Sequence, residues 1–175
     1  LTTDPVAKKG TSPEYDLLYE KGNQLTVLAY SLQSTAGDSA SASADAFSSI
    51  TKVLEESYAE TQEPPNIESK DFISDVIDQV DETTQSEIPA ERKANIATAL
   101  ASVLPLIQVR GGTTTNASVL NFATTTLISD IEKIANGTAS SATVEQYDQT
   151  PTAYIAEAQG GNAADYAPTI KALDD

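Results

Sequence analysis

Apolar residues recur along most of this chain every three or four positions, which is the period of an amphipathic α-helix. A first helix is predicted to begin at Ser12-Pro13-Glu14. Ser is a good N-cap, Pro suits the first turn, and an early carboxylate complements the helix dipole. The core-facing positions of the next four helices run from Ala46 to Tyr58, from Phe72 to Val80, from Ile96 to Ile107 and from Val119 to Ile134.

Breaker residues lie between these periodic segments. Pro64-Pro65 ends the second helix, and Pro105 kinks or terminates the fourth, because Pro lacks the backbone donor that a helix interior needs. The third helix is expected to run from about Glu68 to Glu87. Thr115 or Asn116 is the predicted N-cap of the fifth helix, and Asn136-Gly137 suits a left-handed cap at its end.

The last part of the chain, residues 138–175, has a weaker pattern. Short helices are predicted near Thr143–Tyr147, Thr152–Gln159 and Asp165–Leu173, separated by Pro151 and Gly160-Gly161. No segment alternates between apolar and polar residues with the period of two that is typical of a β-strand. The expected fold is therefore all-α: an up-and-down bundle of about five amphipathic helices with a less regular helical C-terminal segment. Residues 1–175 are predicted to form one domain, in which 1–12 is a polar lead-in.

Gly22 lies on the apolar face of the first helix. Glycine weakens a helix by about 1 kcal/mol relative to alanine, so its presence needs a reason. Close packing of a neighbouring helix is the favoured explanation, and a functional hinge is the other.

The charge balance excludes one class of partner. The chain has 26 acidic and 10 basic residues and a net charge of −16, whereas nucleic-acid binding needs clustered Lys and Arg. The same charge favours cations, and calcium above all. There is no run of about 18 apolar residues, so the sequence predicts no membrane insertion.

The third predicted helix carries a row of carboxylates, which are the weak candidates for a metal site. Their spacing of four, three and four places them along one helical face. Calcium, however, takes six to eight oxygens that converge on one point, usually from a loop. An ordinary solvated face is therefore the favoured interpretation of Asp71, Asp75, Asp78 and Glu82.

Catalytic chemistry is hard to assemble from this composition. The chain lacks Cys and His, and Ser69-Lys70 is only an adjacent pair at a helix start. A carboxylate-dependent hydrolase would need two facing acids, and no such pair stands out. The sequence therefore predicts a protein that is not an enzyme and has no cofactor, with calcium left open.

Tyrosines are the candidates for partner contact in the C-terminal segment. Tyr147, Tyr154 and Tyr166 all fall in the region of weak helical pattern. They either hold that segment onto the bundle or line an exposed contact patch.

The stretch LTTDPVAKKG, followed by YEKGNQLTVLAYSLQ, resembles small helical modules of large secreted or surface-attached bacterial adhesin-like proteins. In those modules a Thr-Asp-Pro phrase leads into a helix rich in Gln, Leu, Ala and Val, as Thr3-Asp4-Pro5 leads into Gln24-Leu25 here. The resemblance covers roughly the first 35 residues. It implies a location outside the cell or at its surface, and it implies that Leu1 follows an upstream segment.

Two functions are expected from these observations. The first is a non-enzymatic helical module of an exported or cell-surface bacterial protein, which acts in adhesion, spacing or partner binding through a protein partner or neighbouring domains. The alternative is a self-assembling subunit of an extracellular filament or surface layer, in which 138–175 would pair between copies. A small-ligand carrier that uses the bundle interior is a further possibility, although no residue nominates it.

Overall fold

A computed structural model describes residues 12–36, 41–108 and 113–167, with the side chains of 113–116 outside that description. The prediction of an all-α fold is confirmed. The helices are α1 (Pro13–Gln33), α2 (Ala42–Thr61), α3 (Lys70–Thr84), α4 (Ala90–Val103), α5 (Thr113–Phe122), α6 (Ile128–Asn136), α7 (Ser141–Gln149) and α8 (Pro151–Gln159). Short 3₁₀ turns occupy Leu104–Leu106 and Ala163–Tyr166, and a π-turn, Ala123–Leu127, joins α5 to α6.

Serine caps begin several of the helices. The side chain of Ser12 accepts a hydrogen bond from the backbone N–H of Tyr15, which confirms the predicted start of α1. At the other end, α6 stops at Asn136 because Gly137 adopts a left-handed conformation with φ of 72°. The predicted left-handed cap is therefore confirmed as well.

Some predicted boundaries are wrong. The third helix ends at Thr84, short of Glu87, because Gln85 turns left-handed at φ 54°. The fifth helix begins at Thr113, so neither Thr115 nor Asn116 is its N-cap. Residues 168–175, which contain most of the last predicted helix, lie outside the described residues.

Successive helices pack as antiparallel neighbours in the first half of the fold. α1 packs on α2, α2 on α3 and α3 on α4, because each connection is short. In the second half of the fold, α6 and α7 both contact α4, and α8 packs on α5. Apolar side chains from every one of these helices form a single core.

Polar side chains hold the helices in register around that core. The amide of Gln24 on α1 is buried, and its Nε2 donates to the carbonyls of Leu104 (3.0 Å) and Ile107 (3.3 Å). Those carbonyls lie where α4 gives way to the 3₁₀ turn that contains Pro105. The predicted effect of Pro105 is thus confirmed. Gln24 supplies a donor to the carbonyl of Ile107 and shares the carbonyl of Leu104 with the backbone N–H of Ile107.

The explanation offered for Gly22 is wrong. Gly22 is exposed, and a Cβ built on it would meet no heavy atom within 4 Å. No neighbouring helix packs closely at this position, so there is room for a larger side chain and steric crowding does not explain the glycine.

Candidate functional site

A buried carboxylate in the C-terminal half has the densest polar contacts around it. Asp130 lies in α6 and is only 4% exposed. Its Oδ2 accepts hydrogen bonds from the hydroxyls of Tyr147 (3.0 Å) and Tyr154 (2.7 Å), and its Oδ1 accepts one from Nζ of Lys133 (3.0 Å). We refer to these four residues as the Asp130 cluster.

Aromatic contacts surround the cluster on its apolar side. The rings of Phe122 and Tyr154 meet edge to face with centroids 5.3 Å apart, and those of Tyr147 and Tyr154 do so at 5.2 Å. Such edge-to-face pairs are favourable because the positive ring edge meets the negative ring face. The cluster therefore joins α6, α7 and α8, and the ring contact of Phe122 with Tyr154 connects it to α5.

The electrostatics of the cluster favour a structural role. Burial raises the pKa of Tyr147 well above its usual range, and the charge of Asp130 raises it further. The pKa of Tyr154 is raised by burial and by its hydrogen bond to Asp130. Both hydroxyls therefore stay protonated near neutral pH and act as donors to the carboxylate. In this arrangement both oxygens of Asp130 are occupied by groups from the same chain.

The three tyrosines named from the sequence all pack inward. Tyr147 and Tyr166 are buried and Tyr154 is half-buried. The hydroxyl of Tyr166 donates to the carbonyl of Gly160 at 2.6 Å, which ties the 3₁₀ turn back to the end of α8. Tyr147 and Tyr166 therefore do not line an exposed patch, because their rings are covered; they hold the C-terminal segment onto the bundle, which was the other expectation.

The carboxylates named on the third predicted helix lie beside the second helix. Asp75, Asp78 and Glu82 line a groove of about 330 Å³ between α2 and α3, and Glu56 and Glu60 of α2 line its other side. The groove is open to solvent and strongly acidic. Its carboxylates are spread along the two neighbouring helices and do not converge on one point.

Asp71 lies in an adjoining groove of about 290 Å³, which it shares with Asp75. Partial burial raises the pKa of Asp75, and the like charges of Asp78, Asp71 and Glu60 add to the effect. Asp78 itself is paired with Lys93 at 2.9 Å. Within the described residues, no group of three or more acidic side chains is arranged to hold a metal ion.

The sequence contained a signal for the Asp130 cluster that a search for motifs overlooks. Asp130 falls within the apolar stripe of its helix, between Leu127 and Ile134. A charged residue on a core-facing stripe needs buried partners. Tyr147 and Tyr154, seven residues apart, supply them from two later helices.

Comparison with known proteins adds no relative: no family model, curated protein or solved structure matches this chain. Among the described helices, none is long and apolar enough to cross a membrane.

Proposed function

We propose that this chain is a non-enzymatic helical module of an exported or cell-surface bacterial protein, which acts in adhesion, spacing or partner binding. The observation that carries the proposal is the Asp130 cluster. It is the most elaborate polar arrangement in the described part of the chain, and its hydrogen bonds join helices to one another. Buried polar groups used in this way give a module a defined shape.

The basic residues support the same interpretation. Every Lys and Arg whose side chain the structure describes contacts an acceptor of the chain itself. The contacts are Lys21 with Glu68, Lys52 with Gln79, Lys70 with Thr98, Arg92 with the carbonyl of Ala135, Lys93 with Asp78 and Asp81, and Lys133 with Asp130. Most of these pairs connect different helices. The remaining surface is rich in carboxylates, which keeps an exported module soluble.

The alternative of a self-assembling subunit has less support. It needs the C-terminal segment to pair between copies, but α7 and α8 pack on α4 and α5 of the same chain. Tyr147 and Ile155 are fully buried in that contact. Moving the segment to a neighbouring copy would first expose both side chains.

Absolute mass in solution tests the proposal, measured by size exclusion with light scattering in calcium and again in a chelator. We expect a single species near the monomer mass of 18.4 kDa in both buffers, with an unchanged melting temperature. Large species in either buffer would favour the self-assembling subunit. A calcium-dependent mass or melting temperature would show that the chain binds calcium and would make the module a calcium-regulated one.

A further inference from the structure

The last helices of the chain are held by few buried side chains. α7, α8 and the 3₁₀ turn that follows them each contribute one to the core, and these are Tyr147, Ile155 and Tyr166. α3 alone contributes five, which are Phe72, Ile73, Val76, Ile77 and Val80. Because apolar burial is the main source of stability, these last elements are attached less firmly than α3. We call residues 141–166 the strap and α1–α6 the body.

Neither helix of the strap is long enough to stay helical away from the body. α7 and α8 have nine residues each, whereas an isolated helix needs about 12–15 residues to be even marginally stable in water. Tyr147 and Tyr154 tie the two helices together through their edge-to-face contact and their common acceptor, Oδ2 of Asp130. Tyr166 ties the 3₁₀ turn to Gly160 at the end of α8. Loss of one element removes contacts from the others, so these elements form one cooperative unit.

The body is complete at the point where the strap begins. α6 ends in a cap of its own, in which the backbone N–H of Gly137 donates to the carbonyl of Ile134 and that of Thr138 donates to the carbonyl of Lys133. The side chain of Arg92, from α4, donates to a further carbonyl at this helix end. None of these bonds involves a strap residue, so α6 keeps its cap when the strap leaves.

Like charges line the space between the strap and α4. A groove of about 570 Å³ lies between α4 and α7, with Glu91 on the α4 side and Glu145 and Asp148 on the α7 side. All three carboxylates are exposed, and no ion pair within the described residues involves them. Their mutual repulsion works against close packing of α7 on α4.

The polar contact that closes the strap separates without leaving an unpaired charge in a dry site. Asp130 keeps Lys133 on the body side, three residues later in the same helix and 3.0 Å away, and the Lys133 side chain is half exposed. Departure of the strap gives water access to the other carboxylate oxygen and to the hydroxyls of Tyr147 and Tyr154. A charge that is costly to bury is therefore both paired and solvated in the open state.

We infer that the strap opens as one unit while the body stays folded, and that the open state uncovers Phe122. The ring of Phe122 is fully buried in the closed state, where it meets Tyr154 edge to face and lies 6.4 Å from Tyr147 between centroids. The closed strap is thus a cover over an apolar side chain of α5, and the module has two states. This inference is independent of the proposed function, because it concerns the fold alone.

Native-state hydrogen exchange of the full chain, measured by mass spectrometry of its fragments, tests the inference. We expect the slowest amides of α7 and α8 to have similar protection factors, at least about tenfold below those of the slowest amides of α3. Equal protection of the strap and α3 would overturn separate opening. Protection that declines steadily from α7 through α8 would mean that the chain end only frays, and it would overturn the single unit.

A substitution in the body distinguishes opening of the strap from unfolding of the whole chain. Ile77 is buried in α3, which packs on α2 and α4. Ile77→Val should lower the protection of α3 roughly fivefold. It should leave the strap unchanged, because the body is intact in both the closed and the open state. Strap protection that falls together with that of α3 would show that the strap opens only on global unfolding, and would overturn the inference.

Tyr154→Phe is the matched substitution in the strap. It removes one hydroxyl from Asp130 and should lower the protection of α7 and α8 together, by roughly tenfold. Circular dichroism verifies that both variants are folded. Unchanged protection, or a loss confined to α8, would overturn the role of the Asp130 contact in closing the strap as a unit.

Discussion

The hydroxyl of Tyr154 donates a 2.7 Å hydrogen bond to Oδ2 of Asp130, across 24 residues of sequence. The same oxygen accepts the hydroxyl of Tyr147 at 3.0 Å. One carboxylate on α6 therefore holds both α7 and α8. The C-terminal segment, whose sequence pattern is weak, owes its position to this contact and to the aromatic pairs beside it.

Replacing that carboxylate should loosen the segment. Asp130→Ala leaves two tyrosine hydroxyls without their acceptor, so we expect a loss of about 3 kcal/mol in the free energy of unfolding. Urea unfolding followed by circular dichroism measures the loss. Glu132→Ala, an exposed carboxylate in the same helix, serves as control and should change stability by less than about 0.5 kcal/mol.

A double-mutant cycle with Tyr147→Phe then tests the coupling. If the hydrogen bond carries the effect, Tyr147→Phe should cost about 1.5 kcal/mol in the unaltered chain and much less once Asp130 is Ala. Additive losses would mean that the two residues act independently and that the cluster is not a unit.

The cluster also predicts alkaline sensitivity. The pKa values of Tyr147 and Tyr154 are raised in the folded chain, by burial first and then by Asp130. The stability they contribute is fully present below the unfolded tyrosine pKa of about 10 and falls as the pH rises above it, because the unfolded state releases those protons first.

Unfolding free energies measured between neutral pH and the alkaline limit should therefore fall less steeply in a Tyr147→Phe, Tyr154→Phe variant. Tyr30→Phe, which removes an exposed hydroxyl, should keep the slope of the unaltered chain. Identical slopes in all three proteins would assign alkaline unfolding to general charge repulsion.

A second pH effect is expected on the acid side. Burial acts to raise the pKa of Asp81, but hydrogen bonds from Lys93 and from the backbone N–H of Ile88 outweigh it, and the net pKa is lowered. Its contribution is present above the unfolded aspartate pKa of about 3.9 and is lost as the pH falls toward the lowered value.

Asp81→Asn should thus cost about 1–2 kcal/mol at pH near 7, and the difference from the unaltered chain should shrink at acid pH. Asp148→Asn, an exposed acid on α7, is the control and should show little difference at any pH. A cost for Asp81→Asn that persists at acid pH would show that the side chain acts by shape and not by charge.

Gly22 is a position at which a substitution is expected to stabilise the chain, whereas the substitutions above are expected to destabilise it. Since it is exposed within α1 and its Cβ position is empty, Gly22→Ala should stabilise the chain by about 0.5–1 kcal/mol. Gly137→Ala should instead destabilise it by at least about 1 kcal/mol, because φ is +72° there and the new Cβ would run into the guanidinium of Arg92. Thermal unfolding of both variants gives the comparison, and a lower melting temperature for Gly22→Ala would point to a requirement for glycine at that site.

The sequence by itself determined the helices, because their causes are local. The period of the apolar residues, the Ser12 cap, the Pro105 break and the left-handed Gly137 depend on a few neighbouring residues each, and all were predictable. Boundaries such as Gln85 were missed since a non-glycine left-handed residue leaves little trace in the sequence.

Only the tertiary structure decided which side chains on those helices contact one another and which stay exposed. Periodicity places Asp130 on a core stripe, but it cannot say that two tyrosines from later helices donate hydrogen bonds to its carboxylate. The four spaced carboxylates were visible, whereas the facing Glu56 and Glu60 were not. The physical reason is that helix formation is settled by interactions a few residues apart, while pairing, burial and empty space depend on how separate helices pack against one another.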